Sequence, residues 1–320
     1  MRTYVARRIL LLIPVVIMVA IIAFLLLNIA PGDAAATILE QQLEGGMASP
    51  EETAALREQL GLDKPIHVRF WNWISGVFRG DLGNSLIDTR FTVNDKIGQA
   101  FPISLQIMVM AVLFGIVIGV PVGIVSAVWQ GTWADYVGRF ISILGLSVPN
   151  FFLGILALYF LSVYAEWTKP FGFVGFFEDP WMNLQQTWLP MVAIGLRLGA
   201  IVMRMLRSTM LEVIRADYVR TARAKGLSER LVISRHVLKN ALIPVVTLMG
   251  IQVGVLMGGS AIVETLFTLP GLGQLIVTGI AGRDYPVVLG GVMIIATAFL
   301  LINVLVDISY AWLDPRIRYS

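Results

Sequence analysis

The chain has 320 residues, of which 57% are apolar and 14% charged, with a formal net charge of +3 and no cysteine. That balance excludes an average soluble domain, and the missing cysteine excludes disulfides and thiolate metal sites. It predicts an all-α polytopic membrane protein, because a helix needs about 20 apolar residues to cross the hydrocarbon layer.

The first charge-free run, 9–32, follows Arg2, Arg7 and Arg8. ARRILLL ahead of an apolar stretch, with Ala34 and Ala36 downstream, imitates a signal peptide, but the stretch 9–30 exceeds the usual signal-peptide core. A retained span over 1–30 is the expectation. Residues 31–101 form the one sizeable segment outside the membrane, too small for an enzyme domain with its own large core. After Gly45 and Gly46, the order Ser49, Pro50, Glu52 predicts a capped helix start. FWNWISGVFRGDLGNSL from Phe70 predicts an amphipathic helix on the outer face or against other spans.

The part 102–320 carries five further spans, from the runs 97–134, 140–165, 180–203 (interrupted by Arg197), 240–263 and 285–306. Six spans result. The uncharged run TLFTLPGLGQLIVTGIAG at 265–282 would make a seventh, but Pro270, Gly271 and Gly273 favour a partly inserted or surface-lying segment. With the N-terminus inside, the inner segments hold 15 Lys/Arg against 6 Asp/Glu and the outer ones 8 against 15, Arg197 set apart. That asymmetry predicts cytoplasmic N- and C-termini. Trp129, Trp133, Trp167, Trp188 and Trp312 fall near predicted span ends, where an interfacial aromatic belt belongs.

The segment 204–239 carries nine Lys/Arg against three Asp/Glu. Within it, DYVRTARAKG at 217–226 predicts a helix ended by a left-handed turn at Gly226, then a second helix. The small Thr221, Ala222 and Ala224 would allow close helix approach, while Arg220, Arg223 and Lys225 would meet acidic residues of a partner. The plainer alternative is a positive-inside loop whose arginines meet lipid phosphates.

Arg197 is the charged residue placed well inside a predicted span, where burial costs at least a few kcal/mol. It would line the pore and attract a substrate carboxylate, pair with a neighbouring subunit, or snorkel. His67 and His236 fall on opposite predicted sides, which argues against a His-centred metal site or a Ser-His protease. No GxxxxGK[ST] pattern occurs, which argues against nucleotide hydrolysis by this chain. Glu264, Arg283 and Asp284 bracket the segment 270–273 and read from the residues alone as solvated span ends. An ion-coupled carrier remains a rival class, although no midplane carboxylate is visible.

Six stretches then occur in order: RRILLLIPVV with LLLNIAPGD, RGDLGNSL, LSVPNFFLGILAL, DYVRTARAKGLSERLVISRHVLKNALIPVV, VETLFTLPGLGQLIVTGIAGRDYPVV and LDPRIRY. On these, the chain resembles, over nearly its whole length, the inner-membrane permeases of peptide and nickel ABC importers, first member of the permease pair. The resemblance implies a type I ABC importer permease fold in a bacterial or archaeal cytoplasmic membrane. It implies a second homologous permease subunit, two ATPase subunits carrying ATP and Mg, and an extracytoplasmic substrate-binding protein; nucleic acid has no part. Di- or oligopeptides are the foremost substrates implied, with nickel complexes, glutathione, opines and oligosaccharides as alternatives. Laid on the family's coupling motif, Arg220, Thr221 and Ala222 take its first three positions and Gly226 its glycine. Leu238 takes the leucine, while His236 and Lys239 depart from it as in the peptide branch. The implied ATPase-coupling residues are Asp217, Arg220, Thr221, Ala222, Arg223, Ala224, Lys225, Gly226 and Leu227. The implied outer gate or binding-protein contact is Glu264, Pro270, Gly271, Gly273, Arg283 and Asp284.

Overall fold

A computed structural model describes residues 2–29, 32–43 and 49–313, with side chains at 2–9, 41–42, 259 and 306–313 left aside. Gly45, Gly46, the LDPRIRY ending from 314 onward, and the side chains of Arg2, Arg7, Arg8 and Trp312 therefore lie outside the described residues. The helices are α1 (Arg2–Ile29), α2 (Ala34–Gln42), α3 (Pro50–Gln59), α4 (Ile66–Phe78), α5 (Val93–Val128), α6 (Trp133–Ser147) and α7 (Asn150–Tyr164). They continue with α8 (Pro180–Ile214), α9 (Asp217–Ala224), α10 (Glu229–Leu231), a π-helical segment (Val232–Val237), α11 (Leu238–Gly259), α12 (Ala261–Leu266), α13 (Leu272–Ala281) and α14 (Tyr285–Leu313).

Among the described residues, five helical stretches are long and apolar enough to cross a membrane: Leu10–Ile29, Val93–Val128, Pro180–Ile214, Glu229–Gly258 and Tyr285–Leu305. The sixth candidate, expected as one span over 140–165, is broken. Its two halves, α6 and α7, meet at 102°. The break falls at Val148 and Pro149, both extended, with Pro149 lacking the N–H that a continuous helix would need. α13 has 10 residues, about 15 Å at 1.5 Å per residue, half of the roughly 30 Å hydrocarbon layer. It is too short for a seventh span, in keeping with a partly inserted or surface-lying segment.

The chain forms two compact units, one of 2–104 with 268–300, the other of 105–267 with 301 onward. The second is built around α8, which packs against α6, α7, α11, α12 and the π segment. Glycines set how closely α5 and α8 approach. A Cβ on Gly119 would lie 2.6 Å from the Gly199 carbonyl oxygen, and one on Gly195 would lie 2.8 Å from that of Ala111. Gly115 and Gly119 thus face Gly195 and Gly199, and Gly123, four further on, faces Met203 and Leu206, the small-residue packing that replaces hydrophobic drive between helices in lipid. Near the start of α8, the fully buried Asn183 and Gln186 hold the preceding loop: Asn183 donates to the Val174 carbonyl at 2.8 Å, and Gln186 accepts from the Val174 N–H at 3.0 Å.

Deeper in this unit, the buried carboxylate of Asp135 accepts from Arg207 at 2.7 and 2.9 Å and from the Gly131 N–H at 3.0 Å, and also from the Ser126 hydroxyl. One ion pair therefore fastens the start of α6 to α5 and α8. A buried carboxylate is tolerable only with such a full set of donors.

In the other unit, α4 packs on α1 and α14 through Ala20, Ile74 and Met293, with Phe24 edge-on to Phe70 at 5.3 Å and stacked on Trp73 at 5.9 Å. Of the two placements open for this amphipathic helix, packing against a span is the one adopted. The Ser49–Glu52 capping box with Pro50 at the first turn forms as expected. Two hydrogen bonds from Ser49 hold the Glu52 carboxyl below its ordinary pKa.

Candidate functional site

The basic hairpin folds as its sequence predicts. α9 ends at Ala224, Gly226 adopts φ +78°, and the chain re-enters helix at Glu229. A Cβ on Gly226 would meet nothing within 4 Å, so glycine is required there by backbone conformation alone and not by space. On α9 the residues Val219 and Ala222, three apart on one face, are buried in a cluster with Leu206, Met210, Val232, Val237 and Ala241. The next turn is π-helical. Val232 and Val237 would stand about 140° apart in an α-helix; the wider turn brings both into that core.

Burial on one side leaves Asp217, Arg220, Thr221, Arg223, Ala224, Lys225 and Gly226 exposed on the other, with Leu227 half-buried. Ala222 departs from its expected place on the docking surface: it faces the chain's own core, where its small side chain admits the π segment. The basic residues also differ from expectation. Arg223 pairs bidentately with Glu229 across the turn, at 2.7 and 3.0 Å, and Arg220 with Asp217 at 3.3 Å. The Glu229 hydrogen bonds raise the Arg223 pKa further above its ordinary value. Such exposed pairs are worth about 0–1 kcal/mol, so an incoming carboxylate exchanges with them at little cost. Asn240 ties the hairpin to α11, donating to the His236 carbonyl at 2.9 Å and to the Tyr218 hydroxyl at 3.1 Å.

The outer-segment residues divide between the units. Glu264, in the unit of α8, is fully buried and accepts from the Ser260 hydroxyl at 2.8 Å. In the other unit Asp284 is buried, accepting from the Leu86 N–H at 3.1 Å and from the Ser85 hydroxyl, to which Lys96 donates at 2.9 Å. The reading of Glu264 and Asp284 as solvated span ends is thus overturned, because a serine hydroxyl at each carboxylate, joined at Asp284 by a backbone N–H, takes the place of water. Arg283 beside Asp284 has φ +58° and is half-buried. Pro270 is exposed, Gly271 and Gly273 are buried, and the Leu272 N–H at the start of α13 donates to the Ser104 hydroxyl at 2.7 Å. Lys96, Gln99, Pro270, Gly271 and Gln274 line a cleft of about 450 Å³.

Arg197 is exposed on α8 and borders a cavity of about 170 Å³ together with Asn150 and Gln252. Sequence reasoning missed the Asp135–Arg207 pair, whose partners lie 72 residues apart and were counted only as loop charges.

Residues 119–319 match the family described as binding-protein-dependent transport system inner membrane component, and residues 1–108 its N-terminal companion. The chain belongs to that family. Among its relatives, the glutathione transport system permease protein GsiC of Salmonella choleraesuis strain SC-B67 is 40% identical over 320 residues, covering all of both chains. The dipeptide transport system permease protein DppB of Alkalihalophilus pseudofirmus is 40% identical over 339 aligned positions, again covering both chains in full. The inward-facing MetNI methionine ABC transporter has a chain that matches at TM-score 0.54 and 21% identity, over 68% of this chain and 96% of that one, which shows a shared fold. The protein is accordingly a multi-pass inner-membrane permease of a binding-protein-dependent ABC importer, and the ion-coupled carrier falls away.

Proposed function

We propose that this permease imports di- or oligopeptides and that the exposed face of the 217–227 hairpin docks an ATPase subunit. The observation that carries the docking role is the two-sided build of α9, anchored by Val219 and Ala222 and offering Arg220, Thr221, Arg223 and Lys225 to a partner. A loop that only met lipid phosphates would need no fixed turn at Gly226 and no buried face. Two such permeases form the pore, two ATPase subunits bind ATP and Mg beneath it, and an external protein delivers the substrate. The termini and the hairpin lie in the cytoplasm, as the loop charges require. Glu264, Pro270, Gly271, Gly273, Arg283 and Asp284 take part in the outer gate or in the contact for the binding protein, each carboxylate being held by hydrogen bonds within its own unit.

Peptide substrates are supported by the relatives named for dipeptide and for glutathione, itself a tripeptide. Nickel complexes, opines and oligosaccharides are the alternatives. Thermal-shift screening of the partner binding protein against peptides, glutathione and these other classes tests the substrate; stabilisation by sugars alone would refute the peptide reading. Orientation is tested in the cysteine-free background. A cysteine at the fully exposed Phe177 should react with an impermeant thiol reagent from outside, and one at Ser228 only after the membrane is opened.

A further inference from the structure

α8 is the most buried of the membrane-spanning candidates, yet one stripe of it is open. Arg197, Arg204 and Ser208 are exposed and Ile201 is half-buried, residues spaced by four, three and four that share one helix face. Two cavities border this stripe. The first, about 170 Å³, is lined by Arg197 with Asn150, Gln252 and Ile201. The second, about 630 Å³, is lined by Arg204, Arg207 and Arg139 with Ser142, Ser208 and again Ile201. Gln252 borders the first and Leu248 the second, one turn apart on α11, so both cavities follow the α8–α11 groove.

The charges in this groove are not balanced. Arg207 is satisfied by Asp135, and Arg139 lies 3.5 Å from the same carboxylate while stacking on Tyr136 at 4.6 Å. Arg197 and Arg204 have no hydrogen bond or ion pair among the described residues. Both arginines stand on the long apolar helix α8, and a guanidinium on such a helix is favoured only where it faces water or an anion. Its planar fork matches a carboxylate bidentately. The two guanidiniums stem from positions seven residues apart, about 10 Å along the helix axis, or about three residues of extended peptide.

Resting on the peptide reading above, we propose that Arg197 and Arg204 are two successive stations for the free carboxylate of the peptide as it moves along the α8 groove. Asn150 and Gln252 supply neutral hydrogen-bonding groups at the first station, and Ser208 at the second. The Asp135–Arg207 pair holds α8 in register and leaves Arg204 as the charge that the substrate neutralises.

The test uses the complete transporter, reconstituted with its ATPase subunits and binding protein, taking up a tripeptide acid and its C-terminal amide. The same binding protein serves every variant, so a change in the acid-to-amide ratio of kcat/KM belongs to the permease. Arg204→Gln and Arg197→Gln should each lower that ratio about tenfold, with amide uptake within about twofold of wild type and subunit co-purification unchanged. Equal losses for acid and amide would overturn the inference, and reduced co-purification would assign these arginines to a partner subunit's carboxylate. An Arg204 effect that vanishes in vesicles lacking anionic lipid would assign it to a lipid headgroup instead. Where the binding protein rejects the amide, Arg204→Lys must retain at least a third of the acid uptake that Arg204→Gln loses; equal loss in both overturns the proposal. A wild-type complex that moves neither peptide while importing another solute refutes the substrate reading itself, whereas normal peptide uptake with an unchanged ratio refutes only the carboxylate stations.

Discussion

Gly119 and Gly226 are both indispensable glycines, for opposite reasons. Gly119 sits in the α5–α8 seam, where a Cβ would lie 2.6 Å from a backbone oxygen, in a helical conformation any residue adopts. Gly226 sits on the exposed hairpin, where a Cβ has open space but φ is +78°. The seam is limited by volume and the hairpin by backbone conformation. The first bears on whether the permease folds, and on the proposed docking role the second bears on whether a folded permease responds to its partner.

Substitutions at the seam should have the largest effect. Gly119→Leu drives a side chain into the Gly199 carbonyl, which no rotamer change relieves, and should destabilise by more than about 3 kcal/mol. Loss of monodisperse permease in detergent is the expected result; a well-folded variant would mean that α5 and α8 pack less closely than described. Asp135→Ala comes next. It leaves Arg207 without its carboxylate, which costs about 3–5 kcal/mol for a buried pair, with the lower end expected because the Arg207 side chain is 19% exposed. Thermal unfolding of purified permease measures it, and Asp135→Ala with Arg207→Met should recover part of the loss. The smallest effect belongs to the hairpin surface. Arg223→Ala breaks an exposed pair and should change stability by no more than about 1 kcal/mol, while weakening capture of the ATPase subunit in pull-downs. A large loss of permease stability there would mean that the Arg223–Glu229 bridge, and not the Val219–Ala222 anchor, holds the hairpin.

The two regions also differed in how far the sequence exposed them. The Gly226 turn was legible because only glycine is at ease at positive φ, and DYVRTARAKG places it at the end of a helical pattern. The spans were legible as uncharged runs. The 102° break between α6 and α7 was not, since hydropathy records length and polarity but no direction, although Pro149 marked the spot. The inward turn of Ala222 follows from its three-residue spacing from Val219, which puts both on one helix face. Glu264 and Asp284 read as solvated because charge at a span end usually is. The burial of Asp284 depends on Ser85, 199 residues away in sequence, and no local pattern records such a pair. The Asp135–Arg207 clamp escaped for the same reason.

The proposed coupling depends on a left-handed turn at Gly226 that presents the α9 face to an ATPase subunit. The most direct test compares Gly226→Val with Gly226→Asn in the reconstituted complex, reading ATPase stimulation by substrate-loaded binding protein. Asparagine tolerates positive φ and valine does not, the penalty being about 1–3 kcal/mol. With equal amounts of permease in the membrane, Gly226→Asn should keep most of the stimulation and Gly226→Val should lose it. Normal stimulation in Gly226→Val would contradict the account, because the turn would then play no part in coupling.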